Sequence, residues 1–461
     1  MIKSEKFEIK KLQKDQAGEQ IMKKITALIL SLALMLSVSV TAFAEQKGAC
    51  YYVDSVYGND SNDGASPERA WKTLSRAAQK EYMPGESLLL KRGQTFDGNF
   101  ITNGSGTKDS PVLLSAYGEG TAPLIHAQEG QFIFMVLNAK HWIIENLELT
   151  SDGFGVMILA LSGENTEDIT IRNCYFHDIS PDETSTGVAA ININHERGIS
   201  KVTDLHLDSL RIENVAWGIH SNGTNAEDDI GIFVNPKASY NSNFLFENLY
   251  IKNAKCGGMV LGAIYKGTIR NCRVLDCATN QDSAYAPLWL RHSSGVTVEY
   301  CEIAGSTNKQ DGMAIDFDGW TVDCDYRYIY SHDNTRFVKN CVFDFKTKNS
   351  GNSVSNCVSI NDNKGMNWSA VCLISDNKPS FGRMAGFRFY DNTIINGSPI
   401  FWLCTKKPFI KNITFSGPFW ASAIQRFFNL FVSPENFVFS SVNNESVKNQ
   451  IEEITKNLPE Y

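Results

Sequence analysis

At 461 residues the chain has room for two or three average domains, and 43% hydrophobic with 20% charged residues is the make-up of an ordinary soluble globular protein. A formal net charge of -8 argues against nucleic acid as the partner and leaves the charge of any substrate open. Eleven Cys would, in an exported chain, ordinarily suggest disulfides.

Met1 to Ile21 is polar and precedes Met22, so 1–21 reads as an upstream extension, untranslated or removed. Lys23-Lys24, an apolar run from Ile25 to Val40 and the small residues Ala42-Phe43-Ala44 predict a signal peptide over 22–44, cleaved after Ala44. The expectation is a secreted, cell-surface or periplasmic protein beginning at Glu45. The apolar run is too short for a membrane span, and no later run is long enough.

Beyond it, Cys50-Tyr51-Tyr52-Val53-Asp54 leads into a Gly/Asn/Asp-rich loop. Ser66 as N-cap and Pro67 at the first helical position predict a helix whose apolar stripe is Trp71, Leu74, Ala77 and Ala78. Such a helix would plug the open end of a core built by the later residues.

Those later residues are repetitive. The unit Ile169-Thr170-Ile171-Arg172-Asn173-Cys174-Tyr175-Phe176 recurs as Ile143–Leu149, Leu207–Ile212, Leu245–Ile251, Thr268–Val274, Thr297–Ile303, Val354–Ile360 and Phe389–Ile394. Aligned on positions 146, 173, 209, 248, 271, 300, 356 and 392, the steps are 27, 36, 39, 23, 29, 56 and 36. The basic period is in the twenties; 56 is two turns, with Tyr328-Ile329-Tyr330-Ser331 as the missing strand, and 36 and 39 carry loop insertions. A strand-only period of this size predicts an all-β solenoid in which stacked coils share one core. Cys174, Cys272, Cys301 and Cys357 fall in one column and are expected to be small buried hydrophobes rather than disulfide partners. No Cys or His spacing suggests zinc. The repeat fades after Phe415, and Val447, Ile451, Ile454 and Leu458 mark one face of a terminal helix, so 416–461 is expected to be a C-terminal extension or cap and 45–415 the solenoid.

The opening Tyr-Tyr-Val-Asp, the Asn-Asp-Gly loop and Trp71-Lys72-Thr73-Leu74 resemble secreted right-handed parallel β-helix proteins of the pectate-lyase-like superfamily, over about residues 50 to 415. The resemblance implies a right-handed parallel β-helix with an N-terminal capping helix and a carbohydrate-active protein working on polysaccharide or oligosaccharide. Asp311-Gly312-Met313-Ala314-Ile315-Asp316-Phe317-Asp318-Gly319 together with Tyr328–Asn334 is similar to a strand pair of β-helix glycosidase-like members. The usual Asn is replaced by Ile329, and the glycines that usually come after it are replaced by Thr335-Arg336-Phe337.

Solenoid enzymes carry their sites on an outward strip. Alternation directs Asn192 and Asn194, His220 and Asn222, Trp289 and Arg291, and Asp316 and Asp318 outward. The steps 192 to 220, 289 and 316 allow one shared face if the coil at Met259-Val260-Leu261 fills the long interval. A pair of carboxylates on such a face suits glycoside hydrolysis, one holding a proton and one ionised. Asp316, Asp318 and His332 are the expected catalytic residues; Trp289, Arg291, His220, Asn192, Asn194 and Asp311 are expected to bind sugar. The alternative is a polysaccharide lyase in which Asp316, Asp318 and Asp323 hold Ca2+ and Arg291, His292 or His220 removes the C5 proton. A third reading keeps only glycan binding. The hydrolase reading calls for no metal, and capped ends give no reason for assembly, so a monomer is expected.

Overall fold

Three strands and three corners make up each coil. The computed structural model describes residues 48–185, 187–196, 198–221, 240–342, 349–363, 372–376, 384–395, 401–404, 409–411, 413–416, 437–438 and 444–460. The expected signal peptide, Asn222 and most of 416–461 lie outside these residues.

The first sheet stacks Phe154–Ala160, Ala189–His195, the ends of Arg211–Ser221 and Tyr250–Gly262, then Leu288–Arg291, Met313–Phe317 and Arg336–Val342. The second stacks Lys140–Glu145, Thr166–Arg172, Val202–Asp208, Asn241–Glu247, Ile264–Arg270 and the start of Ser294–Ala304. The third contains Glu148–Ser151, Tyr175–Ile179, Arg273–Leu275, the ends of Ser294–Ala304 and Asp325–His332, and Val358–Ile360. Every one of these pairings is parallel, which is the right-handed parallel β-helix expected. Each coil buries an apolar strip such as Ile169, Ile171 and Phe176, and leaves its backbone bonded to the coils on either side.

The repeat column marks a corner. Asn146, Asn173, Ser209, Asn248, Asn271, Tyr300, Tyr328 and Asn356 all have φ between 51° and 61°, the left-handed conformation that bends the chain from the second sheet into the third. Asn tolerates it best because its short amide bonds locally, where most residues lose about 1–2 kcal/mol. At the last repeat of the alignment Asn392 is off by one: Asp391 takes the corner, and Asn392 falls in the Cys column, where its amide bridges Cys357 N–H (2.9 Å) and Val354 O (3.0 Å). Cys174, Cys272, Cys301 and Cys357 are buried free thiols.

The expected capping helix is broken. Pro67–Arg69 forms a 3-10 turn without a side-chain cap from Ser66, and a separate short helix runs over Leu74–Ala78 with Thr73 Oγ1 accepting from Arg76 N–H. Trp71 interrupts the pair because its backbone bridges to Val53 and its ring, with Leu74 and Ala77, enters the main core. The terminal helix Asn444–Thr455 forms, but Val447, Ile451 and Ile454 lie on the side of the third sheet, against Tyr328, Tyr330, Val358 and Ile395. Among the described residues no helix is long and apolar enough to cross a membrane.

Candidate active site

One outward column of the first sheet runs through Met157, Asn192, His220, Val260, Trp289, Asp316 and Lys339, each residue in register with the next. Val260 fills the long interval, so the expected sharing of one face holds. With coils ~4.8 Å apart, Trp289 and Lys339 adjoin Asp316, His220 lies about 14 Å away and Asn192 about 19 Å away.

The column changes character along its length. Asn192 is buried and tied to its surroundings, donating to Gly187 O at 3.1 Å and accepting from Asn194 Nδ2 at 2.6 Å. His220 stands edge-on to Trp217 with ring centroids 5.6 Å apart, and Trp217 packs with Tyr285, Val260 and half-buried Trp289 in an apolar patch outside the main core. Burial, with Arg291 adding to it, pulls His220 down to about 4, so it is neutral above that range. His292 is likewise pulled down to about 4, by burial and then Arg291, with Asp318 opposing.

The carboxylates form the far end. Asp316 projects off the sheet but is 0% exposed, in contrast to the open strip expected of it. Neither carboxylate oxygen has a hydrogen-bond partner. Lys339 Nζ lies 3.8 Å from Asp316 Oδ2 and 2.6 Å from Asp311 Oδ1. Asp311 arrives from the preceding loop, where its N–H donates to Asn308 Oδ1 at 2.8 Å. Burial raises the Asp316 carboxyl well above the ordinary carboxylate range, against the pull of Lys339 and with further raising by Asp311 and Asp318. Asp318 is half-buried at the strand end, its Oδ1 accepting Gly319 N–H at 2.8 Å. Arg291 occupies the neighbouring rung of the coil below, since Asp318 N–H donates to Leu290 O. Among the described arginines, Arg291 is the one whose side chain makes no hydrogen bond or ion pair, and its Nε is buried, as is the unpartnered Trp289 Nε1.

Two expected residues are elsewhere. His332 lies on the third sheet, in register with Ala304, clamped between Glu302 (3.1 Å) and Asp333 (2.9 Å) and beside the Tyr330 ring. Its expected place beside the carboxylate pair is corrected: Thr321 to Asp325 turns the chain out of the first sheet before His332 is reached. Asp323 is exposed at that turn with φ 51°. The set Asp316, Asp318 and Asp323 is therefore not gathered; among the described residues, the His/Cys/Asp/Glu group with mutually close ligand atoms is His206, Asp208 and Glu247, on the second sheet. There His206 and Arg270 already pair with Glu247.

Lys339 was missed by sequence reasoning. Its signal is a lysine in the outward slot of Phe337-Val338-Lys339-Asn340, one coil beyond Asp316-Phe317.

Fold and site together define a parallel β-helix with a cluster of carboxylates, an aromatic patch and an unpaired arginine on its first sheet. No protein-family model matches the chain. Lacto-N-biosidase of Bifidobacterium longum subsp. longum is 24% identical, over 35% of this chain and 14% of that enzyme. The match thus spans about a seventh of that relative's length. Two crystal structures of GH136 lacto-N-biosidase from Eubacterium ramulus share the fold: the native protein at TM-score 0.60 and 18% identity, covering 79% of this chain and 67% of that one, and its selenomethionine derivative at TM-score 0.61 and 20% identity, covering 84% and 70%.

Proposed function

We propose that the chain is a secreted glycoside hydrolase acting on an extracellular oligosaccharide or polysaccharide, exported by the segment 22–44 and working as a monomer from Glu45 onward. The observation that carries this reading is the pairing of Asp311 and Asp316 with one largely buried ammonium, that of Lys339, with Asp318 at the end of the Asp316 strand, on the face that also holds Trp289 and Arg291. The names of the relatives, each a lacto-N-biosidase, support glycan hydrolysis.

In this reading Asp316 is the acid, because burial keeps its proton, and Asp318 is the open carboxylate that meets the anomeric carbon or its attacking water. Cleavage moves the acid's proton onto the leaving oxygen as the bond to the anomeric carbon breaks. Asp311, from the loop before the strand, shares Lys339 with Asp316, so in this reading it links the buried acid to the sugar. Trp289 offers a flat apolar face to a ring, and Arg291 donates to its oxygens.

The experiment is turnover by the protein from Glu45 to Tyr461 on neutral and uronate glycans, read as new reducing ends and as ultraviolet absorbance. Reducing ends without absorbance, lowered 10²–10⁴-fold in Asp316→Asn and in Asp318→Asn, are expected for positioned acid and base groups. Absorbance from an unsaturated uronate would instead make it a lyase, and binding without turnover a glycan-binding protein.

A further inference from the structure

A calcium ion takes six to eight oxygens at about 2.3–2.6 Å. The residues that would supply them are not assembled in this fold, since Asp323 stands exposed at a corner and Asp316 faces a lysine. The geometry points to Lys339 as the built-in counter-cation of the carboxylate cluster: its ammonium stands between Asp311 and Asp316 where a divalent metal would otherwise balance them, so the site works without calcium. This rests on the carboxylate-site reading above and adds to it a positioning residue and independence of calcium.

Three observations carry the assignment. The register sets Lys339 on the coil directly beyond Asp316, so its position is fixed by the ladder rather than by a mobile loop. The Lys339, Asp311 and Asp316 side chains retain 12%, 13% and 1% of their exposure, so the contact is shielded from solvent and from salt. A compact ammonium can hydrogen-bond one carboxylate, Asp311, and still face a second carboxyl group, Asp316, at longer range. The other charged groups facing the cluster are Asp318 on the same strand, Arg336 on the strand of Lys339 and Arg291 on the coil below. Arg336 donates to Gln310 O and pulls the Asp316 carboxyl down less strongly than Lys339 does, and Arg291 sits beside Asp318. Lys339 is therefore the cation that sits between Asp311 and Asp316. It holds the Asp311 carboxylate in place by a short ion pair and leaves Asp316 at longer range.

The test is thermal unfolding of the full mature protein with calcium alone as probe, in wild type, Lys339→Arg, Lys339→Gln and Lys339→Gln combined with Asp316→Asn. Wild type and Lys339→Arg are expected to be indifferent to calcium and to chelator. Lys339→Gln should melt several degrees lower and recover part of that loss with calcium, and the added Asp316→Asn should abolish the recovery. A wild-type midpoint raised by calcium, with the rise removed by Asp316→Asn, would overturn the inference; so would a Lys339→Gln protein as stable as wild type. Should Lys339→Gln not fold, the uncharged triple variant Asp311→Asn, Asp316→Asn, Lys339→Gln is expected to fold, and its failure would count against Lys339 as the balancing charge. Because no substrate is present, a wild type without hydrolase activity would end the functional proposal and leave this result standing. Where turnover is seen, Lys339→Arg should lower kcat at nearly constant KM, as expected for a group that positions a carboxylate rather than binding sugar.

Discussion

Trp289 and Asp316 are opposite neighbours on adjacent coils, the indole half-buried and the carboxyl wholly so. The Trp289 Nε1 has no partner in the protein. In the proposed function a sugar stacks on the accessible part of the indole face. Trp289→Ala should raise KM about tenfold, equivalent to ~1.4 kcal/mol of lost binding, while Trp289→Phe keeps the stacking and loses the donor. Steady-state kinetics on one oligosaccharide check this; an unchanged KM in Trp289→Ala would remove the ring from the binding site.

Acid stability should respond to His220. Its folded-state value, about 4, is depressed below that of an exposed histidine, first by burial and then by Arg291. Between pH 6.5 and about 4 the unfolded chain therefore binds a proton that the folded chain refuses. The stabilisation is present above this window and is lost as pH falls through it. For a shift of this size the loss by pH 5 is about 2 kcal/mol. Asp362, raised by burial to about 6 despite bonds from Ser331, Ser359 and Asn334, works the other way: its contribution is present below the unfolded value and lost as pH rises towards 6. The two oppose each other, so wild type alone is uninformative. His220→Gln compared with wild type should show a smaller drop in denaturant midpoint from pH 7 to pH 5, and equal drops in the two proteins would contradict the neutral buried ring.

The fold was legible because its rule is local. An amide side chain followed by Cys or Leu recurs at most corners between the second and third sheets, and Asn146, Asn173, Asn248 and Asn271 all lie in the left-handed conformation that selects them. Tyr300 and Tyr328 break the rule in sequence and keep it in space: they occupy the same corner, stacked 4.8 Å apart and nearly parallel. The shared face of Asn192, His220, Trp289 and Asp316 was legible for the same reason. Which of three sheets a given strand joins was not, because alternation is identical in all three. His332 shows the consequence. The pattern Tyr-x-His-Asp at Tyr330 occurs earlier at Tyr175, where His177 is clamped by Glu148 and Asp178 on the third sheet. Two copies in equivalent surroundings indicate a corner device rather than a single catalytic group. Burial of Asp316 was illegible because Lys339 comes from the next coil, in another stretch of chain.

Gly312 adjoins Asp311 with φ 48°, and a Cβ there would meet Thr335 Oγ1 at 2.6 Å as well as the Asn308 carbonyl. Gly312→Ala should therefore cost about 1–2 kcal/mol from the backbone conformation. The steric push adds to this and moves Asp311 off Lys339. A lowered denaturant midpoint together with a fall in kcat/KM is the expected result. Wild-type kcat/KM in a destabilised variant would show that the turn supports the fold and leaves Asp311 in place.

The thiol column makes the last prediction. Burial pushes Cys174 and Cys357 up to about 12, and Cys272 well above the ordinary thiol range, so none presents a thiolate near neutral pH. Cys272 and Cys357 each donate weakly to a carbonyl, Arg270 O at 3.1 Å and Ser355 O at 3.1 Å, Cys357 also accepts from Ile329 N–H, and both belong to the main core. Alkylation of the native protein followed by mass spectrometry should leave all three unmodified, and reductant should leave the melting temperature unchanged. Cys357→Ser should cost about 1–3 kcal/mol, the range for a hydroxyl placed in an apolar column. Cys357→Ala should cost less, because it leaves a small gap without adding a polar group. A larger loss from Ala than from Ser would mean that the Cys357 thiol acts through its hydrogen bonds, including the one it accepts from Ile329 N–H at 3.4 Å, rather than as a filler of the core.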